Sequence, residues 1–428
     1  MQDDVIESTN GKHAHVLRRV AITGIGVISP LGSELDKCFE QLAAGSSATD
    51  AFNGETSPVR GLPFAAVVRD FDPAAVVGKK NIKRTARFLQ MGLSSARMAR
   101  ADAALGDAGY ETERVGCLFG SSLGGLEMVN ETANGFATSG MRGVSPFLLP
   151  GALNNMAAGM IAIDANVHGP CYAVSAGWAS STFAVGQAFE MIRRGAADAM
   201  LTGGSESLFE SPLATVLLGR SGLFADQADA PTAASKPFDA ARRGLVAGEG
   251  ATMLVLESMD SALARGAKVY AEVIGYASSF APKATQHRSS WSAMMASCMQ
   301  YALRSAALDP SEVEYVNAYG SGSQATDAME TTAIKQVFGA NAKQLWLSSY
   351  KGAAGHMLGA SGAFETAMTS LALQRGVIPP TANLRSPDPA CDLDFMAGSA
   401  RERKVQVAMK NTFGESGHCG SLILRVAA

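Results

Sequence analysis

The sequence predicts an α/β protein built from two similar halves. Segments rich in β-branched residues alternate with helical segments along the chain, and after residue 270 a second series of strand, glycine-rich loop and helix follows. This alternation is typical of mainly parallel sheets covered by helices on both faces, and its recurrence indicates a duplicated unit. The predicted strands are residues 20–29, 172–175, 199–202, 252–256, 270–276, 315–318, 345–349, 405–409 and 421–426, and residues 115–124 are predicted to be a strand followed by a glycine loop.

Length and composition restrict the classes of function. The 428 residues are 47% hydrophobic and 18% charged, enough for two domains or one large duplicated domain. The formal net charge of −3 gives no reason to expect a nucleic-acid partner. No apolar run reaches the roughly 18 residues of a membrane span, so we expect none. The six cysteines lack metal-ligand spacing, which predicts no metal site and a reducing compartment.

The stretch GPCYAVSAGWASS, residues 169–181, marks a strand-to-helix junction. Residues 172–175 predict a short buried strand, Gly177 a turn, and the apolar spacing from Ala179 onward a buried helix. Residue 178 therefore lies at a helix N-terminus, where free N–H groups and the helix dipole favour negative charge. A cysteine there would have a lowered pKa and be a good nucleophile. This chain has Trp178, whose indole is not a nucleophile of that kind.

The most basic segment is KKNIKRTAR, residues 79–87. Its charged residues are predicted to lie largely on one helical face, and Arg142 follows in a Gly/Ser-rich loop. Two interpretations stay open, a solvated helix face or a docking surface for an acidic protein. The candidate docking residues are Lys79, Lys80, Lys83, Arg84, Arg87 and Arg142.

Three loops of the second half contain most of the polar residues that suit catalysis: residues 317–323 with Asp327, residues 350–356 and residues 411–420. Their motifs are YVNAYGSGS, KGAAGHMLGASGAFE and NTFGESGHCGSLIL, preceded by VAITGIGVISPLG, VSPFLLPGALNNMAAG and KPFDAARRGLVAGEGA. In this order the motifs resemble the β-ketoacyl-acyl-carrier-protein synthases of the elongating, synthase II type. The resemblance runs from about residue 18 to the C-terminus.

This resemblance implies a thiolase-like fold, in which duplicated βαβαβαββ halves give a layered α-β-α-β-α architecture. The N-terminal half is expected over residues 18–265 and the C-terminal half over residues 266–428. Residues 1–17 are polar and lack the apolar segment of a signal peptide, so we expect a flexible leader and a cytoplasmic protein.

The family's catalytic residues can be placed on this chain one at a time. In the family a cysteine at the start of the central helix accepts the acyl group, and two histidines hydrogen-bond the thioester of malonyl carrier protein as it loses CO₂. The cysteine position is Trp178 and the first histidine position is Tyr319. The second histidine is retained as His356, and the supporting lysine and glutamate as Lys351 and Glu365. The only cofactor implied is the phosphopantetheine that the carrier protein itself bears.

The terminal glycine loop also departs from the family. GFGG is replaced by GESG, so Glu415 stands in place of the phenylalanine that gates the acyl pocket. Indole offers no nucleophile and is expected to fill the space of an acyl thioester. The phenol of Tyr319 is a neutral donor, and Glu415 brings negative charge where an oxyanion would develop. All three replacements oppose ordinary condensation.

Several residues have two interpretations. Cys419, beside His418, is an alternative nucleophile, although neighbours in an extended segment point to opposite faces. Cys171 is expected to be an inert core thiol. His356 is either functional or only structural, and Lys351 and Glu365 either take part in chemistry or form a buried ion pair that organises the loops.

Three functions remain open. The resemblance favours a non-condensing, chain-length-factor-like partner, which pairs with a competent ketosynthase and shapes the acyl tunnel in type II polyketide, polyene or fatty-acid-like biosynthesis. The familiar replacement of the cysteine in such subunits is glutamine, from which Trp178 departs. The alternative is an acyltransferase or condensing enzyme with altered chemistry that uses His356, Lys351 and Cys419. The third is a homodimer that holds acyl carrier protein or a lipid without turnover.

Overall fold

The computed structural model describes residues 17–52, 62–281 and 288–427. Residues 1–16, nearly all of the expected leader, lie outside the described residues. The described chain forms a mixed α/β structure around one large sheet. In these three ranges no helix is long and apolar enough to cross a membrane.

The central sheet has ten strands, and its two halves repeat one topology. In chain order β1 to β10 are Val20–Ile28, Val115–Gly120, Cys171–Val174, Ala199–Glu206, Gly250–Ser258, Ala271–Phe280, Tyr315–Asn317, Trp346–Ser348, Val407–Phe413 and His418–Arg425. Across the sheet the order is β8-β7-β9-β10-β6-β1-β5-β4-β2-β3, so each half has its own strands in the order third, second, fourth, fifth, first. The halves join where Val20 pairs with Val273 and Ile22 with Ala271.

Six helices complete the repeat and separate the layers. α1 packs on β1, β5 and α2; α4 packs on β6, β10 and α5; and α3 and α6 contact each other between the halves. Each half is therefore a βαβαβαββ unit, and the outer helix pairs and the central pair give the predicted layered, thiolase-like architecture. In chain order α1 to α6 are Arg87–Asp102, Asn154–Ala165, Ser180–Arg193, Arg288–Ser305, Gln324–Phe338 and Ser361–Arg375.

Shorter elements line the edges of the layers. The short strands Asp50–Ala51, Phe64–Ala66 and Ala247–Gly248 form one small sheet, and Val377–Ile378 pairs with Arg401–Glu402. The remaining α-helices are Leu35–Ala43, Pro73–Val77, Leu126–Ser139, Leu148–Ala152, Pro212–Arg220, Met259–Ala264 and Lys351–Ala354.

The prediction of mainly parallel sheets is wrong for the inner strands. In the central sheet, as far as the structure describes it, parallel pairing is limited to β2 with its neighbours β3 and β4 and to β7 with its neighbours β8 and β9. The five pairings between β4 and β9 across the centre are antiparallel. The last strand of each half runs opposite to the first and fourth strands, and it lies between them in the sheet, so both of its pairings are antiparallel.

The prediction of a buried strand at residues 172–175 is also wrong. β3 ends the sheet as an edge strand, with Cys171 and Tyr172 exposed. Cys171 is therefore not a core thiol. Burial could not be predicted from residue type here, because it depends on which strand the topology places at the edge. The boundary between the halves at residues 265 and 266 stays a prediction.

Candidate active site

Trp178 lies at the junction that the sequence predicts, between β3 and the start of α3. Gly177 forms the turn with a φ of +54°, and a side chain there would approach Ser416 Oγ to 3.0 Å. Ser180, the first residue of α3, accepts a hydrogen bond from the Ala176 N–H at 3.0 Å through its hydroxyl oxygen. The turn and this hydrogen bond fix the direction in which residue 178 leaves the backbone.

The indole of Trp178 occupies the space between the two halves. Its ring centroid is 4.9 Å from that of His356, edge to face, and the side chain packs against apolar clusters of both halves. Gly414 of the terminal loop lies beside it, where an added Cβ would be 3.7 Å from the Trp178 Cβ. A bulky aromatic group therefore contacts the retained histidine directly.

His356 and Tyr319 satisfy each other's polar atoms. His356 Nδ1 accepts the Leu358 N–H at 3.0 Å, which leaves the ring proton on Nε2, and Nε2 is 2.9 Å from Tyr319 Oη. Both side chains are buried. Burial, reinforced by the Lys351 charge, holds the pKa of His356 well below its usual range. Burial raises the pKa of Tyr319 well above 10, so both groups are neutral at pH 7.

Lys351 and Glu365 form a buried ion pair beneath this hydrogen bond. Lys351 Nζ also donates to the backbone carbonyl of Tyr319 at 2.7 Å and lies 4.5 Å from the centre of the Tyr319 ring. The pair is thus coupled to the position of Tyr319 by a hydrogen bond and a cation–π contact.

Two acidic residues on α5 hold the loop that contains Tyr319. Glu330 accepts the N–H groups of Tyr319 at 2.7 Å and Gly320 at 2.8 Å, and burial raises its pKa to about 7. Asp327, singled out from the sequence, accepts the N–H of Ser321 at 2.9 Å and pairs with the buried Arg242 at 3.2 Å. Sequence reasoning missed Glu330, although its place one helical turn after Asp327 was a signal.

Sequence reasoning also missed Lys410, a second buried lysine at the site. Its Nζ lies 3.2 Å from Glu365 Oε2 and donates to Thr182 Oγ1 at 2.8 Å. Burial lowers its pKa to about 8. The available signal was a lysine within the run VAMKNTF, which otherwise has the character of a buried strand.

Glu415 is placed differently from the expectation of a fully charged carboxylate in the pocket. Its Oε1 accepts a hydrogen bond from Thr326 Oγ1 at 2.8 Å, in the first turn of α5. Burial raises its pKa to about 7, so near neutral pH the group is only partly ionised. Its charge still acts on Tyr319, whose pKa it helps to raise.

The geometry does not support Cys419 as the alternative nucleophile. Cys419 is fully buried in the outer core of the second half, and its burial raises the pKa of the thiol far above the usual range. His418 points the other way, with Phe280 at 5.0 Å between ring centroids and Ser416 Oγ 3.0 Å from its Nδ1. Alternation along β10 therefore separates the thiol from its neighbouring imidazole.

The basic segment does not form one helical face. Residues 79–81 form a turn, Ile82–Arg84 is a single 3₁₀ turn, and α1 begins only at Arg87.

Arg87 is mostly buried, 3.2 Å from Glu249 and 3.7 Å from Glu210, which removes it from the candidate docking residues. The others are exposed, with Arg84 stacked 4.6 Å over Phe147. For Lys79, Lys80, Lys83, Arg84 and Arg142, docking stays a prediction.

Family matches agree with the motifs. Residues 17–262 match the β-ketoacyl synthase N-terminal domain and residues 270–385 match the β-ketoacyl synthase C-terminal domain. The chain belongs to the β-ketoacyl synthase family. Two similar curated proteins are named 3-oxoacyl-[acyl-carrier-protein] synthase 2. The protein from Coxiella burnetii is 40% identical over 95% of this chain and 98% of its own length. The protein from Synechocystis sp. is 35% identical over 94% of this chain and 96% of its own length.

Solved ketosynthase structures have the same fold. A β-ketoacyl synthase from Burkholderia phymatum is 33% identical, with a TM-score of 0.89 over 96% of this chain and 100% of its own. The ishigamide ketosynthase/chain length factor is 29% identical, with a TM-score of 0.87 over the same shares. A type II polyketide synthase ketosynthase in complex with its acyl-carrier protein is 28% identical, with a TM-score of 0.86 over the same shares.

Proposed function

We propose that this chain is a non-condensing ketosynthase homologue, which acts as a chain-length-factor-like partner of an active β-ketoacyl-acyl-carrier-protein synthase. The observation that carries the proposal is the indole of Trp178 at the start of α3, 4.9 Å from the ring of His356. In the family this position belongs to the cysteine that accepts the acyl group. Covalent transfer requires a nucleophile, and indole has none to offer.

The partners of the remaining polar groups support the same conclusion. A condensing site needs donors directed at the thioester oxygen as negative charge develops on it. Here His356 Nε2–H, the natural donor, is engaged with Tyr319 Oη at 2.9 Å. The basic lone pair of His356, on Nδ1, already accepts the Leu358 N–H at 3.0 Å, so this pair offers no free base that could activate an incoming thiol.

The open edge of the sheet supports assembly with a second ketosynthase. β3 has no strand on its outer side within the described residues. Nearby Leu153 precedes α2, which packs on β3, and Leu153 and Ile163 are large, exposed apolar residues. Unpaired strand edges and exposed apolar patches favour association. Together with the likeness to a ketosynthase/chain length factor, this supports a heterodimer whose interface shapes the acyl tunnel.

The remaining parts of the proposal concern the pathway and its carrier. The heterodimer would receive acyl chains on the phosphopantetheine of an acyl carrier protein, in cytoplasmic type II polyketide, polyene or fatty-acid-like biosynthesis. No further cofactor or metal is proposed.

The proposal is tested by producing the chain alone and together with the cysteine-bearing synthase that it accompanies. We expect the chain to be inert alone and to form a 1:1 complex that elongates acyl chains. Leu153→Trp should shorten the products, because a larger side chain at the shared face narrows the tunnel. Leu263→Trp, on the remote helix Met259–Ala264, is the matched control and should leave product length unchanged.

Two outcomes contradict the proposal. A chain that forms ketoacyl products without a partner is itself a condensing enzyme. A stable homodimer that binds acyl carrier protein, without turnover and without affinity for the synthase, is a binding module instead.

An acyltransferase or condensing enzyme with altered chemistry is the second candidate, because curated relatives at 40% and 35% identity are named as synthases. It would use His356, Lys351 and Cys419. Incubation with acyl-carrier-protein thioesters and intact-mass analysis tests it. The buried position of Cys419 leads us to expect no adduct; an adduct that disappears in Cys419→Ala would establish the alternative.

A further inference from the structure

Lys410 is a buried cation whose side chain connects both halves of the molecule. The side chain is fully buried on β9 in the second half. Its Nζ donates to Thr182 Oγ1 at 2.8 Å, in the first turn of α3, and also to Thr412 Oγ1. It lies 3.2 Å from Glu365 Oε2 on α6. One ammonium group therefore contacts a strand of the second half and both central helices.

Glu365 is held from two sides. Lys351 pairs with its Oε1 and Lys410 with its Oε2. Lys351 in turn donates to the Tyr319 carbonyl at 2.7 Å, and Tyr319 Oη contacts His356 Nε2 at 2.9 Å. A continuous series of polar contacts thus links Lys410 to the retained histidine.

Around Lys410, the positively charged groups outnumber the carboxylate with which they pair. Two ammonium groups, on β9 and at the start of Lys351–Ala354, share the carboxylate of Glu365 on α6. Glu330 on α5 adds partial negative charge, since burial raises its pKa to about 7. The charges of Lys351 and Lys410 both oppose a proton on His356, in addition to the larger effect of burial.

We propose that Lys410 is a positioning residue, a built-in cation that holds Glu365 opposite Lys351 and, through that contact series, adds to burial in keeping His356 neutral and hydrogen-bonded to Tyr319. A lysine that served only to pack the interior would affect stability and leave the proton on the histidine unchanged. The inference is independent of the proposed function, because it concerns the protonation of one side chain rather than assembly or turnover.

The test is to follow the histidine ring nitrogens of this chain by NMR as pH changes, alone or in complex with its partner. The His356 signals are assigned by their loss in His356→Gln. In the unmodified chain we expect neutral His356 with its proton on Nε2. In Lys410→Met we expect the pKa of His356 to rise by about one unit, because one nearby positive charge is gone. Lys335→Met, which removes an exposed lysine on α5, is the control and should leave His356 unchanged.

A second measurement keeps the proposal testable if Lys410→Met does not fold. Lysine side chains labelled at Cε should include one that titrates near pH 8 in the unmodified chain. Lys410→Gln, which retains polar contacts to the threonines without a charge, should abolish that signal and shift His356 as Lys410→Met does. The proposal is overturned if no lysine titrates below the usual range, or if His356 keeps the same pKa and tautomer in both variants.

Discussion

The two edge strands of the sheet, β3 and β8, hold equivalent places in the repeated halves, but the chain covers only one of them. β8 is covered by its own half, since the Leu347 N–H donates to the Asp394 carbonyl at 3.0 Å and Arg403 lies 5.2 Å over Trp346. β3 ends the sheet with Tyr172 exposed. The first half therefore leaves a strand edge open within the described residues, whereas the edge of the second half is covered, and under the proposed function the open edge is the surface for the partner.

The central helices differ in a corresponding way. The start of α3 contributes Trp178, which fills space, whereas the segment before α6 contributes Lys351 and His356, which form the polar network. Duplication has therefore produced one half that supplies an aromatic group and an open edge, and another that retains the family's polar residues.

Replacement of the aromatic group tests whether the second half alone determines activity. Trp178→Cys restores a thiol at the start of α3, but Tyr319 and Glu415 remain. We expect condensation at least about 100-fold slower than that of a competent synthase, because a positioned acid–base group contributes about that much or more. Trp178→Ala controls for removal of the indole alone. Robust ketoacyl product from Trp178→Cys, measured with acyl and malonyl carrier proteins, would refute the idea that several defects act together.

A charge introduced on β3 tests whether this open edge strand is the one that binds the partner. In Tyr172→Asp we expect affinity for the partner synthase to fall more than about tenfold, because a charged group at a strand edge opposes pairing. Analytical ultracentrifugation measures the change. Tyr301→Asp, on an exposed surface of α4, should bind normally. Equal binding by both variants would place the interface elsewhere.

The pH dependence of the free energy of unfolding tests the contribution of Glu415 in the second half. Glu415 has a pKa of about 7 in the folded chain, above its ordinary value, so its contribution to stability falls as pH rises from about 4.5 to 7. Glu415→Gln removes this loss. Relative to the unmodified chain, we expect the variant to gain about 1–2 kcal/mol in free energy of unfolding between pH 5 and pH 8. Urea titrations measure it, with Glu402→Gln at an exposed site as control.

The smallest effect is expected at the basic segment of the first half. Charge reversal of Lys83 and Arg84 should weaken binding of acyl carrier protein about threefold to tenfold, and added salt should reduce the difference. Lys37→Glu, on the remote helix Leu35–Ala43, is the control. Unchanged binding at low salt would leave the segment as a solvated surface.

Local sequence patterns were sufficient to predict much of the fold. The alternation of strands and helices predicted the duplication, and the turn at Gly177 placed Trp178 at a helix start. Strand direction and exposure were not predictable in this way, because they depend on which strands become neighbours in the complete sheet. β3 illustrates this, since its residues are apolar enough for a core but the topology leaves it at the edge.

In the candidate active site, too, sequence patterns predicted some features, whereas others depend on the complete fold. Motif order identified His356, Lys351 and Glu365, which the structure brings together with Tyr319. Arg87 is buried because it contacts Glu249, and Lys410 donates to Thr182 in the other half of the molecule. In both cases the two residues are far apart in sequence. Sequence spacing contains no information about those contacts.

If the proposed heterodimer forms, the uncovered side of β3 has a consequence for how the protein is produced. A copy synthesised in excess of its partner would retain a free row of backbone groups able to add to any other free strand, including that of a second copy. Matched production of the two polypeptides would then keep this chain from aggregating.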